Sequence, residues 1–223
     1  MIRLIVPLLL IFVLGACTPV QKQNKNFEFG AKDITGLAVL KNPQITNEST
    51  IYFQSVDLDQ KIFVGETLEF RVCGVCFPAS NTYNFEKGEN PDYKFLPFPP
   101  GIYAMVGLYS FEFGPFTPAK NIHRCYSKGT VVFEVKAGEI IVLSSPVKND
   151  TENKSVERIK SIISHYPKIT ADVVKSKPLA IISFHSKAGR GLRVACLKDI
   201  TGRPFNILKK YQKETIAQLR LRK

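Results

Sequence analysis

Pro99-Pro100-Gly101-Ile102-Tyr103-Ala104-Met105-Val106-Gly107-Leu108-Tyr109-Ser110-Phe111-Glu112-Phe113 is the longest strand-like run in the chain. Proline fixes φ and glycine permits φ > 0, so its first three residues read as a tight turn aimed into a strand. Further along, Val131-Val132-Phe133-Glu134-Val135 and Glu139-Ile140-Ile141-Val142-Leu143 flank Lys136-Ala137-Gly138. Two such runs around a short glycine-containing loop predict a β-hairpin. Working outward, strand-like runs recur at 37–40, 50–54, 60–64 and 68–73, and again at 179–185 and 192–197, with 186–191 as the turn between the last two. Residues 78–100 carry many turn formers and predict one long loop.

Composition agrees with a sheet. Sixteen Phe and eight Tyr stand beside two Met and no Trp, and aromatic residues fit pleated, half-buried surfaces. Helical spacing enters only late. Val156, Ile159, Ile162, Ile163 and Tyr166 recur at intervals of three and four over 155–166, and Pro167 ends the pattern. A second amphipathic helix is expected over 205–221, with Phe205, Leu208, Tyr211, Ile216 and Leu219 on one face and Lys209, Lys210, Lys213, Arg220 and Arg222 on the rest. The expected fold class is therefore mainly β with helices (α+β): an antiparallel β-sandwich-like domain with two C-terminal amphipathic helices packed on it.

At the other end of the chain, Arg3 precedes an apolar run over 4–14 that stops at small residues. That is a secretory signal pattern, too short for a stable membrane span. Leu14-Gly15-Ala16-Cys17 resembles the lipobox of bacterial lipoproteins. The resemblance implies cleavage before Cys17, acylation of that cysteine and a lipid-anchored place in the cell envelope. Thr18 after it implies the outer membrane, periplasmic face, in a Gram-negative cell. The layout expected is a signal peptide at 1–16, a lipidated flexible tether at 17–34 and one β-rich domain at 35–223, whose basic helical part covers 154–223. The Pro-Gly-x-Tyr turn, followed by Phe133-x-Val135-x-Ala137-Gly138-Glu139, also resembles small immunoglobulin-like or carboxypeptidase-regulatory-like β-sandwich modules of bacterial lipoproteins. Those motifs consist of turn and core residues, so they imply a fold and carry no catalytic residue across.

Charge is unevenly spread. Residues 154–223 hold 17 Lys and Arg against four acids, a net of +13, while residues 17–153 hold 13 against 15, a net of −2. In a cytosolic protein this would read as a nucleic-acid footprint. An exported lipoprotein meets other anions, so no nucleic acid is expected and the partner is an anionic envelope polymer, lipid head group or protein assembly. The residues expected to contact it are Lys187, Arg190, Arg193, Lys198, Arg203, Lys209, Lys210, Lys213, Arg220 and Arg222. Lys187-Ala-Gly-Arg-Gly-Leu-Arg193 lacks the Gly-Lys-Ser/Thr ending of a phosphate loop and reads as a basic hairpin turn.

Cys73, Cys76, Cys125 and Cys196 remain beside the anchor cysteine. Four cysteines in an oxidising envelope favour two disulfides, with three possible connectivities. A bridge from Cys125 to Cys73 or Cys76 is the first expectation, with Cys196 taking another. Cys73, Cys76, His123 and Cys125 are also the ligand types of a structural zinc site, although His123 and Cys125 are crowded at i, i+2. Cys73-x-x-Cys76 lacks the following helix that thiol redox work needs. Ser183 and His185 have no Gly-x-Ser-x-Gly elbow near them, and Asp57-Leu-Asp59 reads as a turn. The expectation is a non-enzymatic binding or scaffolding module with no catalytic residue, cofactor or metal. The alternatives are a small envelope metal or thiol enzyme using the cysteine and histidine cluster, or a subunit of a secretion or surface assembly.

Overall fold

The computed structural model describes residues 22–41, 48–73, 81–86, 92–114, 117–143, 152–185 and 200–210. The strands are β1 (Gly36–Lys41), β2 (Glu48–Asp57), β3 (Ile62–Cys73), β4 (Tyr93–Phe98), β5 (Gly101–Gly114), β6 (Thr117–Cys125), β7 (Thr130–Val135) and β8 (Ile140–Val142). After the helix α1 (Glu152–Ile163) come β9 (Val173–Lys175), β10 (Ala180–Phe184) and β11 (Phe205–Lys210). The protein is mostly β, with largely antiparallel sheets and one helix among the described residues.

A large antiparallel sheet runs β11-β10-β7-β5-β2-β3, and β6 adds beside β5. A smaller sheet runs β4-β1-β8-β9, in which β1 pairs antiparallel with β4 but parallel with β8, and β8 pairs parallel with β9. Alternation sorts their side chains into layers. Leu37, Val39, Phe95 and Ile140 face α1, where Ile159, Ile162, Ile163 and Tyr166 cover them. Ala38, Leu96, Phe98 and Ile141 face the large sheet, meeting Ile51, Phe53, Phe70 and Phe133. The sandwich is thus capped by a helix on one side.

The far face of the large sheet folds around a third cluster containing Phe63, Val106, Val132, Ile182, Ile200 and Phe205. Here the sheet closes on itself at one end. Phe63 N–H donates to Arg203 O at 3.0 Å, Gly202 N–H to Phe63 O at 2.7 Å and Phe205 N–H to Lys61 O at 3.0 Å. These bonds join the start of β3 to the start of β11 and remove the edge that an open sheet would leave there. Further along β3, Asn81 imitates a neighbouring strand: its Nδ2 donates to Glu69 O at 2.6 Å and its Oδ1 accepts from Arg71 N–H at 2.8 Å.

Several expectations change. The β7–β8 hairpin is absent, because β7 lies in the large sheet and β8 in the small one. The turn between them carries the chain from layer to layer. Gly138 makes that possible: its φ is +68°, and a Cβ there would lie 2.6 Å from Gly30 O. The sequence of a hairpin turn and of an inter-layer turn is the same glycine-containing punctuation, so it did not discriminate. The long loop at 78–100 contains β4, which pairs along all of β1. Residues 60–64 and 68–73 merge into the single strand β3, with the register slipping opposite Gln54 and Ser55. Residues 205–210 form β11 rather than the first turns of a helix, because pairing with β10 satisfies their backbone; residues 211–221 lie outside the described part. So do the run at 192–197 and the turn at 186–191. The expected tether also ends earlier than residue 34. Phe29 is buried in the helix-facing cluster, and Phe27 packs edge-on against Tyr83 and Phe85 at 5.1 and 5.3 Å. The helix at 155–166 is present as α1, starting three residues sooner. Tyr103 Oη donates to Pro99 O at 3.0 Å, so the Pro-Gly-x-Tyr turn is locked by the tyrosine that follows it.

Candidate functional site

Three sets of residues bear on function: the basic C-terminal part, the cysteine and histidine set, and the buried polar groups. Of the ten basic residues expected to meet an anionic partner, Arg203, Lys209 and Lys210 fall within the described part. Lys187, Arg190, Arg193, Lys198, Lys213, Arg220 and Arg222 lie outside it. Arg203 is half-buried, held by its backbone bonds at the closing seam. Lys209 and Lys210 are exposed at the end of β11, opposite Ile181 and Ala180. Leu208 beside them is 57% exposed. Ile181 and Leu208 each come close to Gly129, and Lys128 is exposed next to it. This part of β10 and β11 continues the sandwich face of the large sheet beyond the reach of the small sheet. The exposed Leu208 thus has Lys128 and Lys209 near it, whereas Lys210, paired with Ala180 of the third cluster, belongs to the other face. Such a surface can attract anions by charge and hold them by modest apolar contact.

The cysteine and histidine set is not brought together. Cys125 stands opposite Gly107, Gly107 opposite Tyr52, and Tyr52 opposite Glu69 of β3. Cys73 lies four residues beyond Glu69, three strands away from Cys125. With about 4.8 Å between strands and about 3.3 Å per residue, their Cα atoms are on the order of 19 Å apart. One zinc ion cannot join them, and a disulfide, which needs Cα atoms within about 7 Å, cannot either. The expected Cys125–Cys73 bridge is therefore excluded by register. Cys125 is disulfide-bonded, so its sulfur is unavailable as a metal ligand or free thiol. The His123 ring lies 4.6 Å from that of Tyr109, its cross-strand partner. Among the described residues no cluster of three His, Cys, Asp or Glu side chains could hold a metal ion. Cys76 and Cys196 are outside the described part, as is Cys17. The Asp57-Leu-Asp59 segment is a turn, in which the Asp57 carboxylate accepts the Asp59 and Gln60 N–H groups at 2.9 and 2.8 Å.

The buried polar groups were not anticipated. Lys94 on β4 is 2% exposed, and its Nζ has no hydrogen-bond partner. Burial pushes its pKa down, and the nearby Glu86 carboxylate opposes that shift. Ser49 and Ser110, directly paired across β2 and β5, are also buried with unpartnered hydroxyls. Alternation along β4 would have placed residue 94 on an inner face once β4 was recognised. A groove of about 410 Å³ lies between the end of α1 and β9, lined by Ile163, Tyr166, Ile169, Asp172 and Val173 with Lys160 at its rim. No described helix is long and apolar enough to cross a membrane. Comparison with protein-family models, with curated proteins and with solved structures finds no match for this chain.

Proposed function

We propose that this chain is a lipid-anchored cell-envelope protein, a non-enzymatic binding or scaffolding module that holds an anionic envelope partner on its basic C-terminal surface. The observation that carries this reading is the concentration of charge: residues 154–223 bear a net of +13 while the preceding 137 residues are near neutral. The exposed Lys209 and Lys210 beside the exposed Leu208 support it. The lipobox-like Leu14-Gly15-Ala16-Cys17 supplies the expected anchor, and the +13 end would then face phosphate-rich surfaces at short range. Attraction of this kind is screened over about 8 Å at physiological ionic strength.

Sedimentation with vesicles tests it, using the unlipidated chain and bilayers with or without anionic phospholipid. Binding to the anionic vesicles should fall several-fold between about 50 and about 500 mM NaCl, as the screening length shortens. It should fall by a similar factor when Lys209, Lys210 and Lys213 are each changed to Glu. Binding that ignores salt, or that survives the three reversals, overturns the reading. A second reading, a subunit of a secretion or surface assembly, draws on the exposure of Leu208. Self-association lost on Leu208→Ser, measured by sedimentation velocity, would favour it.

A further inference from the structure

Among the described residues, the buried side-chain atoms left without a hydrogen-bond partner are Ser49 Oγ, Asn84 Nδ2, Lys94 Nζ and Ser110 Oγ. Every one of them can donate, so what is missing is an acceptor. Tyr83 and Phe95 exchange both backbone bonds, at 2.8 and 3.2 Å. The next pair along this antiparallel bridge is Asn84 with Lys94, whose Cβ atoms then lie about 4.5–5.5 Å apart on one face. Tyr83, Phe85, Tyr93 and Phe95 pack in the helix-facing cluster, so Asn84 and Lys94, alternating with them, point to the large sheet. There Ser49 and Ser110 stand opposite each other, on the face that carries Ile51, Phe53 and Leu108. The chain reverses between β4 and β5, where the Phe98 and Tyr103 rings meet at 4.9 Å, and β5 is antiparallel to β2. Strands β4 and β2 therefore run the same way. The Phe98 ring lies 5.0 Å from that of Phe53, and tracing each strand back from these rings reaches Lys94 and Ser49 at the same end of the layer.

We propose that this end of the inter-sheet layer is a binding site for one small monovalent anion of chloride size, held by Lys94 Nζ and Asn84 Nδ2 with the Ser49 and Ser110 hydroxyls on the facing sheet. The amide is oriented for it: Asn84 Oδ1 accepts the Glu86 N–H at 3.1 Å, which turns Nδ2 the other way. Glu86, the carboxylate whose charge acts on Lys94, does not fill the gap. Its oxygens accept from Tyr93 N–H at 3.2 Å and from Arg158 at 3.4 Å, and the arginine offsets its charge. One ammonium balances one negative charge, so a divalent anion would leave a buried surplus. Close packing between the sheets favours a single-atom ion over a bulky one. Binding would relieve the cost of the buried ammonium and tie β4 to the large sheet. This buried site is separate from the exposed basic surface, and the inference does not depend on the anionic-partner reading.

Thermal unfolding of the unlipidated chain decides the point, with chloride replacing gluconate at constant ionic strength. Gluconate is too bulky for the site, and constant ionic strength keeps general screening fixed. The wild-type midpoint should rise with chloride and level off, gaining about 3–6 °C once chloride reaches roughly ten times its dissociation constant. Lys94→Met should lose this saturable rise. So should Asn84→Asp, which sets a carboxylate beside the ammonium and keeps the oxygen that the Glu86 N–H uses. Crystals grown in sodium bromide give the position: an anomalous peak is expected between Lys94 Nζ and Asn84 Nδ2. A wild-type midpoint indifferent to chloride, a rise that both variants share, or bromide found only at the surface overturns the proposal.

Discussion

Gln54 and Lys94 are both long polar side chains sealed from water, at 0% and 2% exposure, and the molecule treats them in opposite ways. Gln54 sits where β2 and β3 slip register. Its Nε2 donates to Val64 O and Gly65 O at 2.7 and 2.8 Å, and its Oε1 accepts from Thr67 Oγ1 at 2.6 Å. The slip exposes two carbonyls that the strand ladder would otherwise have used, and the amide fills their place. Lys94 lies on the regular strand β4, which pairs with β1 along its length without a register shift. Its ammonium group has no hydrogen-bond partner. An irregular backbone can therefore make a buried polar side chain stabilising, whereas a regular one leaves it a cost.

The largest break in this contrast comes at Gln54. Gln54→Leu keeps the volume but leaves two carbonyls and a threonine hydroxyl without this partner, and should cost about 2–4 kcal/mol in urea unfolding. A loss below about 0.5 kcal/mol would mean that water takes over the amide's role. Lys94→Met should act in the other direction and stabilise by about 1–3 kcal/mol, since it removes an unpaired buried amine while keeping the packing. pH adds a sharper test. Because burial lowers the Lys94 pKa, the unfolded chain binds more protons than the folded one between that lowered value and the ordinary 10.5. Native stability should rise with pH through that window, and below it the full penalty applies. Tyr52, Tyr103, Tyr126 and Tyr166, whose pKa values burial raises above 10.0, push stability down beyond pH 10. The difference between wild type and Lys94→Met therefore isolates the lysine on the approach to that pH. A gap between them that stays constant up to pH 10 would show that Lys94 keeps its ordinary proton affinity when buried.

The same contrast explains what the sequence could announce. Helix α1 was legible because its apolar residues repeat at a period no strand can use, and Ile159, Ile162 and Ile163 are indeed the residues that bury. Strand β5 was legible from length and from the Pro-Gly entry. Strand β4 was not: Tyr93-Lys94-Phe95-Leu96-Pro97-Phe98 lies between turn formers, with a lysine and a proline at positions that weaken a strand reading. It forms because β1 offers a full register of partners, a non-local cause that no window of residues contains. The 205–210 segment failed for a related reason. Phe205, Leu208 and the lysines satisfy a helical pattern over a longer window, while β10 and the start of β3 capture its backbone first. In the candidate site, the basic surface was visible as charge alone. That Cys73 and Cys125 cannot meet is a matter of strand order, which spacing along the chain does not encode.

Between the satisfied amide and the orphaned ammonium stands a smaller cost, borne by backbone instead of side chain. Lys61 ends the β2–β3 turn at a φ of 56°, the left-handed region that an L-residue enters at a penalty of about 1–2 kcal/mol. The turn holds it there from both sides: Asp57 fixes the preceding N–H groups, and Lys61 O accepts the Phe205 N–H that closes the large sheet. Since the side chain is exposed, its loss removes no packing. Lys61→Gly should therefore relieve the penalty and lose part of the gain to the greater freedom of glycine in the unfolded chain, a net stabilisation of up to about 1 kcal/mol. Lys61→Val should destabilise by a similar amount, because a β-branched residue is poorly tolerated at positive φ. Urea denaturation of the two variants gives the ordering directly. Equal stability in both would mean that the seam to β11 yields before the turn does, and the closure of the sheet would then be the weaker of the two structures.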